Sequence, residues 1–366
     1  MSTPLGNPFT PGTEAPPARF FGREALLDTI FSQLQNMQSL SLVGEARIGK
    51  TSLLKYLVAH LPAQLAPYGR YQPIYLSMNG LRDPGMFYHA LLTALLPQLP
   101  PGAGDERDIR MLDAALARNE PPSQPTTERV LDWAAAAGLR VVLLLDEFKD
   151  LLELPAVFDH FFCAWLRSLY SARRVALVMA TRQPISEIPG LKLYFLNAST
   201  ATHTLGPLDL PASEALLRQP HDRPFSPSEV QLGLRAGKLH PCRLQLAGDY
   251  LYRGKGLRHS LTHTPDGSLR REAGRILQRE VAQSFEEMQR RSRPRPTRRN
   301  WWRWFEALGT TAINLGEGAN TLSARILGVV IVVIVLILVA GCVAWAFGLI
   351  DGAAFRKLIN TVTGAN

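Results

Sequence analysis

Cysteine is scarce in this chain. Three residues, Cys163, Cys242 and Cys342, are spread over 366 positions, and none stands near another. That excludes a disulfide framework and a thiolate metal site of short ligand spacing, and reduced thiols in a cytosolic setting are expected. The opening stretch has no basic n-region and no apolar h-region. Its prolines predict a disordered leader over residues 1–18, not a signal peptide. No internal repeat is visible. Acidic residues are missing from positions 290–303, where seven arginines stand. That run carries most of the formal net charge of +9 and leaves the remainder close to neutral. A near-neutral body argues against a nucleic-acid partner.

What is present is a core-forming composition, 46% hydrophobic and 19% charged. Apolar runs at residues 40–43, 74–78, 141–145, 175–180 and 191–196 read as strands. Helical periodicity covers 24–35, 51–60, 86–96, 128–137 and 157–170. Residues 97–127 are rich in Pro and Gly and read as a loop-rich insertion with a short helix at 111–117. Alternating strands and helices predict an α/β core with a parallel sheet covered on both faces, over residues 19–205. Beyond Leu210 the pattern is helical only, at 212–218, 227–236, 242–252 and 270–289. This predicts a small helical lid domain over residues 206–289.

Gly44-Glu45-Ala46-Arg47-Ile48-Gly49-Lys50-Thr51 fits G-x-x-x-x-G-K-[ST] without a mismatch, between an expected strand and an expected helix. Such a loop curls its backbone N–H groups around phosphate oxygens, and the following helix, with Ser52 in its first turn, adds its positive end. Lys50 would supply a charge for the β- and γ-phosphates, and Thr51 a hydroxyl ligand for Mg²⁺. Asp146 ends the apolar run 141–145, expected to be a strand beside this loop, and is the second metal candidate. Glu147 could polarise an attacking water. The next buried strand ends in Thr181-Arg182-Gln183, which places Arg182 as a candidate γ-phosphate sensor.

Together these residues resemble the STAND branch of the AAA+-like ATPases, a P-loop NTPase fold, over residues 19–255. Phe20-Phe21-Gly22-Arg23-Glu24 looks like the family's F-x-G-R-E entry motif, which implies that Phe21, Gly22 and Arg23 lie near the adenine. The P-loop resembles G-x-R-R-x-G-K-T, with Ala46 in place of the first Arg. The segment from Leu205-Gly206-Pro207-Leu208 to His240-Pro241-Cys242-Arg243-Leu244-Gln245 is similar to the prokaryotic lid, which implies nucleotide contacts for His240 and Pro241. The resemblance implies a regulated ATPase that alternates between ADP and ATP states with Mg²⁺. It also implies assembly into homo-oligomers and an unidentified protein partner. The repeat array that many members carry after the lid is missing. Competing readings are a DNA-binding origin-recognition-type AAA+ ATPase, which would need a basic winged-helix domain, and a non-catalytic ATP-binding scaffold.

Residues 326–350 contain no charged side chain and are long enough to cross a bilayer core as a helix. Ahead of them, residues 290–325 form a basic linker in which Trp301, Trp304, Phe305 and Leu308 share one helical face, as an amphipathic helix on anionic lipid would. The expectation is a single-pass protein of the plasma membrane. Its N-terminal domain would be cytoplasmic and residues 351–366 would form a short tail outside. Charge close to the span is ambiguous, so the orientation rests on the need for cytosolic ATP.

Overall fold

The computed structural model of the protein describes residues 6–148, 158, 160–187, 201–220, 222–254 and 267–291. The core runs α1 (Glu24–Gln35), β1 (Leu40–Val43), α2 (Lys50–Gln64), β2 (Arg70–Ser77), α3 (Pro84–Leu95), α4 (Glu106–Ala117), α5 (Gln124–Ala136), β3 (Leu139–Asp146), α6 (His160–Ser171), β4 (Val175–Thr181) and β5 (Ala201–Thr204). Side-chain caps explain three helix starts. Asp83 accepts from the amide of Met86, Asp105 from those of Arg107 and Asp108, and Ser123 from that of Thr126. Each cap satisfies amides that the first helical turn leaves unpaired.

The five strands are parallel, in the order β2-β3-β4-β1-β5. Along β3, Val142 and Leu144 join the layer formed with α1 and α2, while Val141, Leu143 and Leu145 face the layer formed with α3, α5 and α6. Ala176, Val178 and Ala180 of β4 alternate with Val175, Leu177 and Met179 in the same way. A period of two between two apolar layers gives a continuous apolar run, which is why these strands show no polar alternation in sequence.

β4 separates the strand of Asp146 from β1, yet the end of that strand lies beside the P-loop as expected, with Thr51 Oγ1 2.6 Å from Asp146 Oδ2. Two expectations need correction. The stretch 97–127 is no loose insertion: it holds α4 and the first turn of α5, and Leu116 and Thr127 are buried. The leader is not disordered where it is described. Phe9 is buried and its ring stacks on Phe225 with centroids 5.6 Å apart. The expected strand at 191–196 lies outside the described residues; the strand pairing with β1 on its outer side is β5.

After β5 come α7 (Leu210–Leu217), α8 (Pro227–Gly237), α9 (Pro241–Arg253) and α10 (Gly267–Arg291). They enclose a second apolar cluster that includes Leu217, Leu234, Leu244, Val281 and Phe285. The leader is fastened to it. Asn7 donates to Asp249 Oδ1 at 2.7 Å and the amide of Thr10 to Gln245 Oε1 at 3.2 Å. Position 248 must be glycine for this fit, since a Cβ there would stand 2.3 Å from the Phe9 ring.

The chain divides into Met1–Arg290 and Arg291–Asn366. Beyond Arg291 the second unit lies outside the described residues, and with it the expected linker helix, the run 326–350 and the tail. Among the described residues no helix is long and apolar enough to cross a membrane.

Phe9→Ala should lower the unfolding free energy by about 3 kcal/mol, the usual cost of emptying a buried phenylalanine site. Chemical denaturation reads this directly. An unchanged midpoint would mean that the leader does not pack on the helices.

Candidate nucleotide-binding site

The loop between β1 and α2 turns at Gly49, whose φ of 101° is left-handed and free of cost only for glycine. Arg47 also takes a left-handed φ, 66°, in a residue type that rarely adopts it. The conformation is held from outside. Arg47 donates to the carbonyl of Gly12 in the leader at 3.2 Å and to that of Met288 in α10 at 3.1 Å. Ser52 is engaged as well, its Oγ accepting from the amide of Ala15 at 3.0 Å. The phosphate loop is therefore tied to both ends of the first unit.

Lys50 folds back on its own loop, donating to the carbonyls of Gly44 at 2.7 Å and Glu45 at 2.8 Å. Burial pushes its ammonium down to about 8. Asp146 opposes that shift, Arg182 adds to it, and Glu147 and Glu45 oppose it. The expected site residues of three separate segments thus share one electrostatic neighbourhood. Arg182 is within it, exposed at the end of β4, and Thr181 before it is buried with its hydroxyl donating to the carbonyl of Gln183 at 2.8 Å.

Asp146 is only 4% exposed. A buried carboxylate must be satisfied by donors, and it has them. Thr51 Oγ1 donates to Oδ2 at 2.6 Å, the phenol of Tyr75 donates to the same oxygen at 3.0 Å, and the amide of Glu147 donates to Oδ1 at 2.9 Å. Burial, then the charge of Asp146, pushes the Tyr75 phenol up and keeps it a donor. Glu147 itself is exposed, with φ at 52°. A hydroxyl and a carboxylate in contact form a small, hard donor set. It fits Mg²⁺, which keeps several waters and takes further ligands from phosphates.

The entry motif is built around Arg23, whose guanidinium donates to the carbonyls of Ile48 at 3.0 Å and Gly206 at 2.9 Å. It links the P-loop to the segment after β5. Phe21 packs on the helical cluster and Gly22 is buried against Ala212. Arg23 also lines a cavity of about 450 Å³ with Leu26, His203, Gly206, Pro207 and Leu208. Ile48 is buried, Ala46 is half-buried, and Glu45 is exposed. His240 and Pro241 do reach the P-loop: His240 Nε2 stands 3.3 Å from Glu45 Oε1. That approach is out of hydrogen-bond alignment, and neither ring nitrogen has a hydrogen-bond partner among the described residues. Pro241 opens α9 at its first position. Sequence reasoning missed Tyr75 and the ties of the leader. A tyrosine two residues before the end of a strand was the signal available for the first; the second is a contact between distant positions.

Residues 33–188 match the family model described as an AAA domain. No curated protein matches the chain. Among solved structures it is similar to the ORC2 protein of Aeropyrum pernix, with a TM-score of 0.47 and 15% identity over 69% of this chain and 66% of that one. A Walker-type ATPase of Pyrococcus abyssi gives 0.46 and 16%, over 76% and 78%. The Aeropyrum pernix ORC1 protein in complex with DNA gives 0.44 and 16%, over 84% and 81%. The AAA-domain match covers β1 to the end of β4 and hence Lys50, Thr51, Asp146, Glu147 and Arg182; Arg23, His240 and the leader lie outside it.

The buried imidazole of His240 makes stability depend on pH. Burial pushes it down from 6.5 to about 4, against Glu45 and helped by Arg243 and Arg23. The unfolded chain therefore takes up a proton below 6.5 that the folded chain refuses, so stability is full above 6.5 and falls toward 4. By pH 5 the loss from this group should be at most about 2 kcal/mol. Denaturation of wild type and His240→Phe at pH 7 and pH 5 should show a smaller acid loss in the variant.

Proposed function

We propose that the chain is a membrane-anchored switch of the STAND/AAA+ type that binds and hydrolyses ATP. The observation that supports it best is the meeting of Thr51 with the buried Asp146 at 2.6 Å, with Lys50, Glu147 and Arg182 in the same electrostatic neighbourhood. In this reading the N–H groups of residues 44–51 and the first turn of α2, including Ser52, take the phosphates. Lys50 leaves the carbonyls of Gly44 and Glu45 for the β- and γ-phosphates. Thr51 and Asp146 hold Mg²⁺, which when bound neutralises phosphate charge and orients the triphosphate. Glu147, exposed at the strand end, takes the proton of an attacking water. Arg182 stabilises charge on the γ-phosphate. Phe21, Gly22, Arg23, His240 and Pro241 close the base side.

The switch part of the proposal rests on how the loop is held. Arg47 and Ser52 connect it to the leader and to α10, so a change of nucleotide alters contacts at both ends of the unit. Homo-oligomer assembly and a protein partner belong to this reading by family resemblance. Membrane anchoring rests on the uncharged run 326–350 and the arginine-rich segment before it.

Lys50→Ala should weaken ATP binding by about 10- to 100-fold, the worth of hydrogen bonds from a charged donor. Glu147→Gln should bind ATP normally and turn it over about 10²- to 10⁴-fold more slowly. Calorimetry and phosphate release check both, with DNA present and absent. ATP affinity unchanged in a folded Lys50→Ala protein would overturn the nucleotide reading. Turnover that needs DNA would favour the origin-recognition alternative.

The full-length protein should stay with membranes through high-salt and alkaline carbonate washes, since each CH₂ buried in lipid contributes about 0.8 kcal/mol. Release by carbonate would remove the anchor from the proposal.

A further inference from the structure

The metal-facing carboxylate has a donor that none of the motifs marks. Tyr75 lies on β2, where it pairs in register with Leu144, and Ser77 pairs with Asp146. Side chains two apart leave a strand on one face. Tyr75 and Asp146 therefore project from the same side of the sheet, the side of α2. The phenol is long enough to reach forward along the strand, and its oxygen lies 3.0 Å from Asp146 Oδ2. The ring is held in place by the Lys55 ammonium, 5.8 Å from its centroid, and Lys55 is in turn paired with Glu14 of the leader.

The two hydroxyls on Oδ2 come from different parts of the molecule. Thr51 belongs to the phosphate loop, which must rearrange when Lys50 gives up the carbonyls of Gly44 and Glu45. Its oxygen is also the one a cation would claim. Tyr75 belongs to the sheet, which has no reason to move. A carboxylate anchored only to the loop would lose its orientation as the loop opens, whereas one anchored to the sheet keeps it.

We propose that Tyr75 is a positioning residue for the divalent cation: it fixes Asp146 in the orientation that serves the metal, independently of the phosphate loop. The proposal deepens the nucleotide-binding reading and rests on it. Outer donors of this kind typically change metal affinity by 10- to 100-fold when removed.

The test is a Mg²⁺ titration of ATP binding to the full-length protein, followed with a fluorescent ATP analogue. Wild type, Tyr75→Phe, Asp146→Asn and the double variant are compared. Tyr75→Phe keeps the ring beside Lys55 and removes only the hydroxyl. It should raise the Mg²⁺ concentration at half-saturation by about tenfold and leave affinity in excess chelator unchanged. In the Asp146→Asn background the same change should have no further effect, because the group it orients is gone. A wild-type Mg²⁺ midpoint in Tyr75→Phe overturns the proposal. So does an equal loss of affinity without metal, which would mark Tyr75 as structural, or an undiminished effect in the Asp146→Asn background. If wild type binds no ATP at any Mg²⁺ concentration, the nucleotide reading itself fails and Tyr75 loses its role with it.

Discussion

The architecture of the site follows from the cost of burying one carboxylate. Asp146 is almost fully enclosed, and a charge so placed is tolerated only when donors surround it. Those donors come from the first turn of α2, from β2 and from the chain just after β3. Meeting that requirement brings the P-loop helix and the end of β3 together although β4 separates β3 from β1. The strand between them ends in Thr181, with Arg182 directly after it, which puts a polar edge between the phosphate loop and the acid pair. The sheet order and the chemistry of the site are two views of one arrangement.

Much of this was legible in the chain because the signals are local. The helix Glu24–Gln35 and the strand Leu40–Val43 have the limits the residue pattern predicts. The P-loop is legible for a different reason: phosphate geometry demands fixed residue types at fixed spacing, whatever the surrounding fold. β5 was missed because Ala-Thr-His-Thr lies at the sheet edge and alternates between half-buried and exposed positions, so it never needed an apolar run. The first turn of α4 was missed because its Glu-Arg-Asp start is polar and its evidence is a single Asp105 cap.

The leader shows where composition misleads. Five prolines and two glycines within eighteen residues argue for disorder on average. Packing is decided by particular contacts, and here Phe9 in its seat over Gly248 acts together with the hydrogen bonds of Asn7 and Thr10. Tyr75 is a similar case. Its role depends on the register of β2 against β3, a relation between positions about seventy apart that no window along the chain can contain.

The seat of Phe9 has a consequence for the order in which the protein takes shape during synthesis. Asn7 and its partner Asp249 are 242 positions apart. Asn7 thus waits for one of the later helices of the unit before its partner exists. Contacts of such separation form late, because a long loop must close before they are rewarded. Arg47 and Ser52 take part of their support from that leader, and Arg47 takes the rest from α10, which emerges later still. The phosphate loop, made early in the chain, is therefore among the last parts of the nascent protein to reach its final shape. Until translation has passed α10, the emerging sheet carries a nucleotide loop that has its sequence but not its supports.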